Sequence, residues 1–165
     1  MTCGSLGYSL IRAAEVAAEK TQYAEPNVWP TNPGLSTMSD NGVVTTDKAP
    51  APVGPYSQAI QAGDTLYVSG QVGLLPGEST ISSEDVAGQA KQVLTNLGAI
   101  LKAAGSGFDH VVKTTVLLTD MADFKAVNEV YATYFKETRS PARVCYAVKA
   151  LPLNARVEID AIAVR

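Results

Sequence analysis

The feature that most constrains this chain is a long one-sided helix set between two strand-like runs. From Val86 onward the apolar residues Val86, Ala90, Val93, Leu94, Leu97, Leu101 and Ala104 recur at helical spacing and form one stripe. Ser82, with Asp85 three residues later, supplies a box-like start, and Gly105 supplies a stop. Before the stripe, "TLYVSGQV" (Thr65–Val72) alternates, with Leu66, Val68 and Val72 on one side and Tyr67 and Ser69 on the other. After it, "HVVKTTVLLT" is a β-branched strand. The pattern then repeats. Asp120 caps a second helix with the stripe Phe124, Val127, Tyr131, Tyr134 and Phe135, and "ARVCYAV" and "RVEIDAIAV" close the chain as strands. Two consecutive right-handed crossovers put both helices on the same face. The expected fold is therefore α+β: one mixed sheet, two helices packed on one face, and the other face bare.

Strand parity then assigns side chains to faces. Val144, Tyr146 and Val148, together with Val157, Ile159, Ala161 and Ala163, are expected beneath the helices. That choice sends Arg143, Cys145, Glu158 and Asp160 to the bare face, with Ser69 beside them. A bare face that also carries Leu117, Ala147, Ile162 and Val164 is too apolar to stay solvated. Association with further copies is expected, with pockets near the subunit boundaries.

At 165 residues the chain suits one domain. Its formal charge of −3 and the lack of a basic run count against nucleic acid as a partner. No apolar run approaches the ~20 residues needed to span a bilayer, so no membrane role is expected. Two distant cysteines, Cys3 and Cys145, point to a reducing compartment. Residues 1–37 differ from the rest: "YSLIRAAEVAAEK" is helix-prone, and a Pro-rich linker follows it. They read as an N-terminal extension or leader, with residues 38–165 as the domain. Glu15, Glu19 and Glu25 count against an organellar signal, so a cytoplasmic location is expected unless residues 1–37 are a transit segment.

Candidate residues each carry a plain alternative. Arg143 suits bidentate capture of a carboxylate, or an ion pair with Glu158. Glu158 suits a proton acceptor for a bound water, or a surface carboxylate. Cys145 reads as a small packing residue whose backbone lines a pocket, rather than as a nucleophile. Tyr56, fixed in the turn "APAPVGPYSQAI", offers a phenol or simply packs, and Asn128 is a polar ligand contact or a solvated helix residue. His110, the only histidine, reads as a loop residue, and no zinc site can be built from it.

Taken together, "GPYSQAI", "YVSGQVG", "VVKTTVLLTDMADFKAVNEVYATYF" and "PARVCYAVKALPLNARVEIDAIAVR" strongly resemble the RidA (YjgF) family of reactive-intermediate deaminases, from about Ala49 to Arg165. The resemblance implies a chorismate-mutase-like fold and a homotrimer with sites in the clefts between subunits. It implies hydrolysis of 2-imino acids, such as 2-iminobutanoate and 2-iminopropanoate, to 2-oxo acids and ammonia, with no metal or organic cofactor. It implies that Arg143 clamps the substrate carboxylate and Glu158 lies near the attacking water. Tyr56, Ser69, Gly70 and Cys145 match pocket positions, and Asn128 a less constant one. The rival readings are an endoribonuclease or translation inhibitor, and a non-enzymatic small-acid-binding or chaperone-like module.

Overall fold

Asp85, rather than Ser82, starts the long helix. Its carboxylate accepts the Gly88 N–H at 2.9 Å and caps α1 (Val86–Ala103), while Ser83 Oγ accepts the Asp85 N–H. The computed structural model describes residues 42–164. The expected extension at residues 1–37, its helix-prone stretch and Cys3 lie outside the described residues. Six strands form one sheet: β1 (Gly42–Val44), β2 (Ala59–Ala62), β3 (Thr65–Val72), β4 (Val111–Leu118), β5 (Ala142–Ala147) and β6 (Val157–Val164). The order is β1-β2-β3-β6-β4-β5, with β4 and β5 parallel and every other pair antiparallel. The last strand thus inserts between β3 and β4 and splits the first crossover, while the second crossover joins neighbours.

The second helix, α2 (Phe124–Tyr131), is preceded by a 3₁₀ turn, Met121–Asp123, where Asp120 accepts the Ala122 N–H at 2.9 Å. Helix α1 packs on β3 and β6, and α2 packs beside α1. The predicted stripe of α1 is buried throughout, and it joins Val127, Tyr131, Phe135, Val157, Ile159, Ala161 and Ala163 in one core. The expected one-sheet, two-helix α+β architecture is what forms.

Parity fails in two places, for different reasons. On β5, register decides. Arg143 lies beside Thr114, Cys145 beside Val116 and Ala147 beside Leu118, and these three β4 residues are buried under the helices. Arg143, Cys145 and Ala147 therefore face the helical layer. Val144 and Tyr146, 42% and 52% exposed, face the bare side, contrary to the sequence expectation. Apolar alternation marks a face as apolar, and here both faces are. On β3, a bulge intervenes: Val68 pairs with Ala161 but Gln71 with Ile159, so Ser69 and Gly70 together stand against Asp160 alone. Beyond it the alternation inverts, turning Gln71 inward and Val72 outward beside Glu158.

Candidate functional site

The bulge builds the floor of a cavity of about 430 Å³ on the bare side of the sheet. Gln71 closes the bulge, its Nε2 donating to the carbonyls of Ser69 (3.1 Å) and Gly70 (3.2 Å). The Ser69 hydroxyl donates to Ser57 O at 2.6 Å, and its N–H to Gln58 O at 3.0 Å, so this serine ties the bulge to the segment before β2. Gly70 leaves the room that Glu158 fills; a Cβ there would collide with the Glu158 carboxylate. Tyr56, 48% exposed, stands at the rim, with its hydroxyl accepting the Val53 N–H at 3.3 Å. Pro50, Val53, Val72, Leu74 and Leu153 make the rest of the wall apolar.

Glu158 is half-buried here, and its carboxyl is pushed above the ordinary glutamate value. Burial is the larger cause, and the like charge of Asp160, two residues on along the same face, adds to it. Asp160 is itself fixed by the Thr115 N–H at 3.1 Å. The cavity therefore holds a single carboxyl group poised to exchange a proton at milder pH than a solvated glutamate.

A second cluster lies on the helix side. Arg143 Nη1 donates to Asn128 Oδ1 at 2.9 Å, and the guanidinium carbon sits 4.7 Å from the Tyr131 ring centroid and 5.7 Å from that of Phe124. Among the described residues no carboxylate pairs with this arginine. Cys145 is partly buried against the core, and burial raises its thiol despite the opposing pull of Arg143. A thiol held protonated is a poor nucleophile, in keeping with the packing role expected for it.

The candidate residues thus fall into two groups. Tyr56, Ser69, Gly70 and Glu158 come together around the cavity, while Arg143, Asn128 and Cys145 come together beside α2. The expectation that parity brings Arg143 and Glu158 to one face is overturned, because Arg143 aligns with core-facing Thr114 while Glu158 aligns with Leu117 on the opposite face. No Arg143–Glu158 ion pair forms. His110 sits in the 3₁₀ turn Phe108–His110 near Asp109 and Ser106, away from both groups. Among the described residues no group of three His, Cys, Asp or Glu is placed to hold a metal ion.

Sequence reasoning passed over Gln58. This buried side chain accepts the Thr46 N–H at 2.7 Å and donates to the carbonyls of Thr46, Ala49 and Pro50, holding the cavity's outer wall in place. A glutamine just ahead of a strand, among apolar neighbours, was the available signal.

The chain is thus one mixed sheet under two helices, with a bulge-floored cavity around Glu158 on one face and Arg143 beside α2 on the other. The family model described as Endoribonuclease L-PSP matches residues 46–165, and the chain belongs to this family, also known as RidA/YjgF. It is 58% identical over 123 residues to the Mus musculus 2-iminobutanoate/2-iminopropanoate deaminase, covering 74% of this chain and 90% of that protein. It is 56% identical over 121 residues to the Arabidopsis thaliana protein Reactive Intermediate Deaminase A, chloroplastic, covering 73% of this chain and 64% of that one. The crystal structure of E. coli TdcF with bound serine superposes with a TM-score of 0.70 at 40% identity, covering 74% of this chain and 98% of that one.

Proposed function

We propose that this protein hydrolyses 2-imino acids, among them 2-iminobutanoate and 2-iminopropanoate, to the 2-oxo acids and ammonia. The observation that carries the reading is Glu158, a lone raised carboxyl at the polar end of an apolar cavity. The mouse relative's name and its 58% identity support the same chemistry. A protonated imine is already electrophilic, so the protein's work is to position water and to move protons. Water adds to C2 as Glu158 takes one of its protons; that proton passes to the amine nitrogen, the C–N bond breaks and ammonia leaves, while the remaining hydroxyl proton passes to the Glu158 carboxylate, and from it to solvent, as the C2 carbonyl forms. The proposed reaction uses no metal or organic cofactor.

Arg143 is the proposed carboxylate clamp, with Asn128 holding it and the Cys145 backbone nearby. Because Arg143 and Glu158 leave opposite faces of one sheet, a single copy cannot present both to one small substrate. A complete site therefore needs Arg143 from one copy and Tyr56, Ser69, Gly70 and Glu158 from another. Exposed Tyr67, Val144 and Tyr146 on the bare face favour such association, and a homotrimer with three shared clefts is the assembly we propose. Binding of serine by TdcF supports a small amino-acid-like ligand. The formal charge of −3 and the lack of a basic run favour this reading over ribonuclease activity. Among the described residues no helix is long and apolar enough to cross a membrane, and the cytoplasm is the proposed location. A chloroplastic relative makes residues 1–37 the place to look for a transit signal.

The test generates 2-iminobutanoate in situ from threonine and follows 2-oxobutanoate formation. Wild type is expected to exceed the spontaneous rate, whereas Arg143→Ala and Glu158→Gln fall to that rate while staying folded. A wild-type rate equal to the spontaneous one rules the reading out.

A further inference from the structure

The guanidinium of Arg143 is exposed, yet it is held from several sides. A free arginine side chain samples many rotamers, and ordering it to meet a ligand costs conformational entropy. Here Phe124, Asn128 and Tyr131, spaced along one side of α2, receive it together: two ring faces and one amide oxygen. The Tyr131 ring is fixed in its turn. Tyr131 is buried, its Oη lies 2.8 Å from Thr114 Oγ1, and Thr114 is the β4 residue directly beside Arg143 in the sheet register. Its ring also stacks on Phe135 at 4.4 Å, with 29° between the planes. The hydroxyl is thus engaged at depth by Thr114, and what Tyr131 offers Arg143 is its ring face.

We infer that Tyr131 is a positioning residue of the reaction: its buried ring, stacked on Phe135, pre-sets the Arg143 fork so that the nitrogens left free by Asn128 meet the substrate carboxylate. This rests on the clamp role proposed for Arg143. A cation stacked on a ring without a carboxylate partner keeps its charge for an arriving anion, and desolvation on one side strengthens its pull.

The experiment compares Tyr131→Leu, Tyr131→Phe and Arg143→Ala by steady-state hydrolysis and by 2-oxobutanoate binding. Tyr131→Leu is expected to raise KM and weaken 2-oxobutanoate binding about tenfold, with a smaller fall in kcat. Tyr131→Phe, which keeps the ring, is expected to restore both. In the Arg143→Ala background, Tyr131→Leu is expected to add nothing. Wild-type 2-oxobutanoate affinity in Tyr131→Leu overturns the inference, as does failure of Tyr131→Phe to restore it. If Arg143→Ala alone binds 2-oxobutanoate normally, the clamp reading itself falls, and the inference with it; loss in Arg143→Ala but not in Tyr131→Leu sinks the inference alone. Should Tyr131→Leu not fold, the wild-type chain still decides. The Arg143 Nε–H resonance, assigned through Arg143→Lys, is expected to be displaced by the ring, and an ordinary solvated shift overturns the inference.

Discussion

Glu158 shows how one position sets both chemistry and stability. Burial and Asp160 raise its carboxyl, so the folded state binds that proton more tightly than the unfolded chain does. The sign follows: the ionised form costs stability above the raised value, and the cost fades as pH falls through it. Glu158→Gln is therefore expected to melt higher than wild type at pH 7, with the gap closing toward pH 4; thermal unfolding across that range checks it. If the carboxylate is the proton acceptor, hydrolysis declines as pH drops through the same raised value. Asp160→Asn removes the like charge and should carry that acid limb to lower pH, read from kcat/KM profiles. Cys145, with its thiol raised by burial, is expected to tolerate Cys145→Ala with substantial turnover in the imine assay. An inactive but folded variant would return the sulfur to the mechanism.

At the level of elements, the cavity depends on two irregularities that glutamines hold in place. Gln71 closes the β3 bulge, and Gln58 ties the Thr46–Pro50 wall to the sheet with hydrogen bonds to three residues. Gln58→Leu keeps the bulk but leaves those backbone groups without their partner, a loss of about 2 kcal/mol. Chemical denaturation should register that loss, and KM should rise more than kcat falls, because the loosened wall borders the substrate rather than the reacting atoms. These supports were faintly written. A buried glutamine reads in sequence like any polar residue between strands, and a bulge leaves no mark until a partner strand counts two residues against one.

Across the whole molecule, the two half-sites predict complementation. Arg143→Ala and Glu158→Gln, each inactive alone, should regain activity when co-expressed in equal amounts, since a cleft that draws its arginine from one variant and its glutamate from the other is intact. Random pairing in closed rings puts the recovery at about a quarter of wild type. No recovery from mixed oligomers would show that each copy completes its own site. Placing a charge on the bare face, as in Tyr146→Glu, is expected to dissociate the assembly and abolish hydrolysis together, with scattering and the imine assay read on the same sample.

The order of strands and helices along the chain and the α1 stripe were legible in the chain itself. Helical and strand periods are local, and they follow from the spacing of apolar side chains along a few turns or pleats. Which face each end of a strand presents was not legible. On β5 it is set by pairing with β4, where Arg143 falls beside buried Thr114, and on β3 by a bulge that inverts everything after Gly70. Pairing between strands distant in sequence is a property of the folded sheet, and a single slip of register turns every side chain over. That is why the sequence named the arginine and the glutamate, and only the tertiary structure set them on opposite sides.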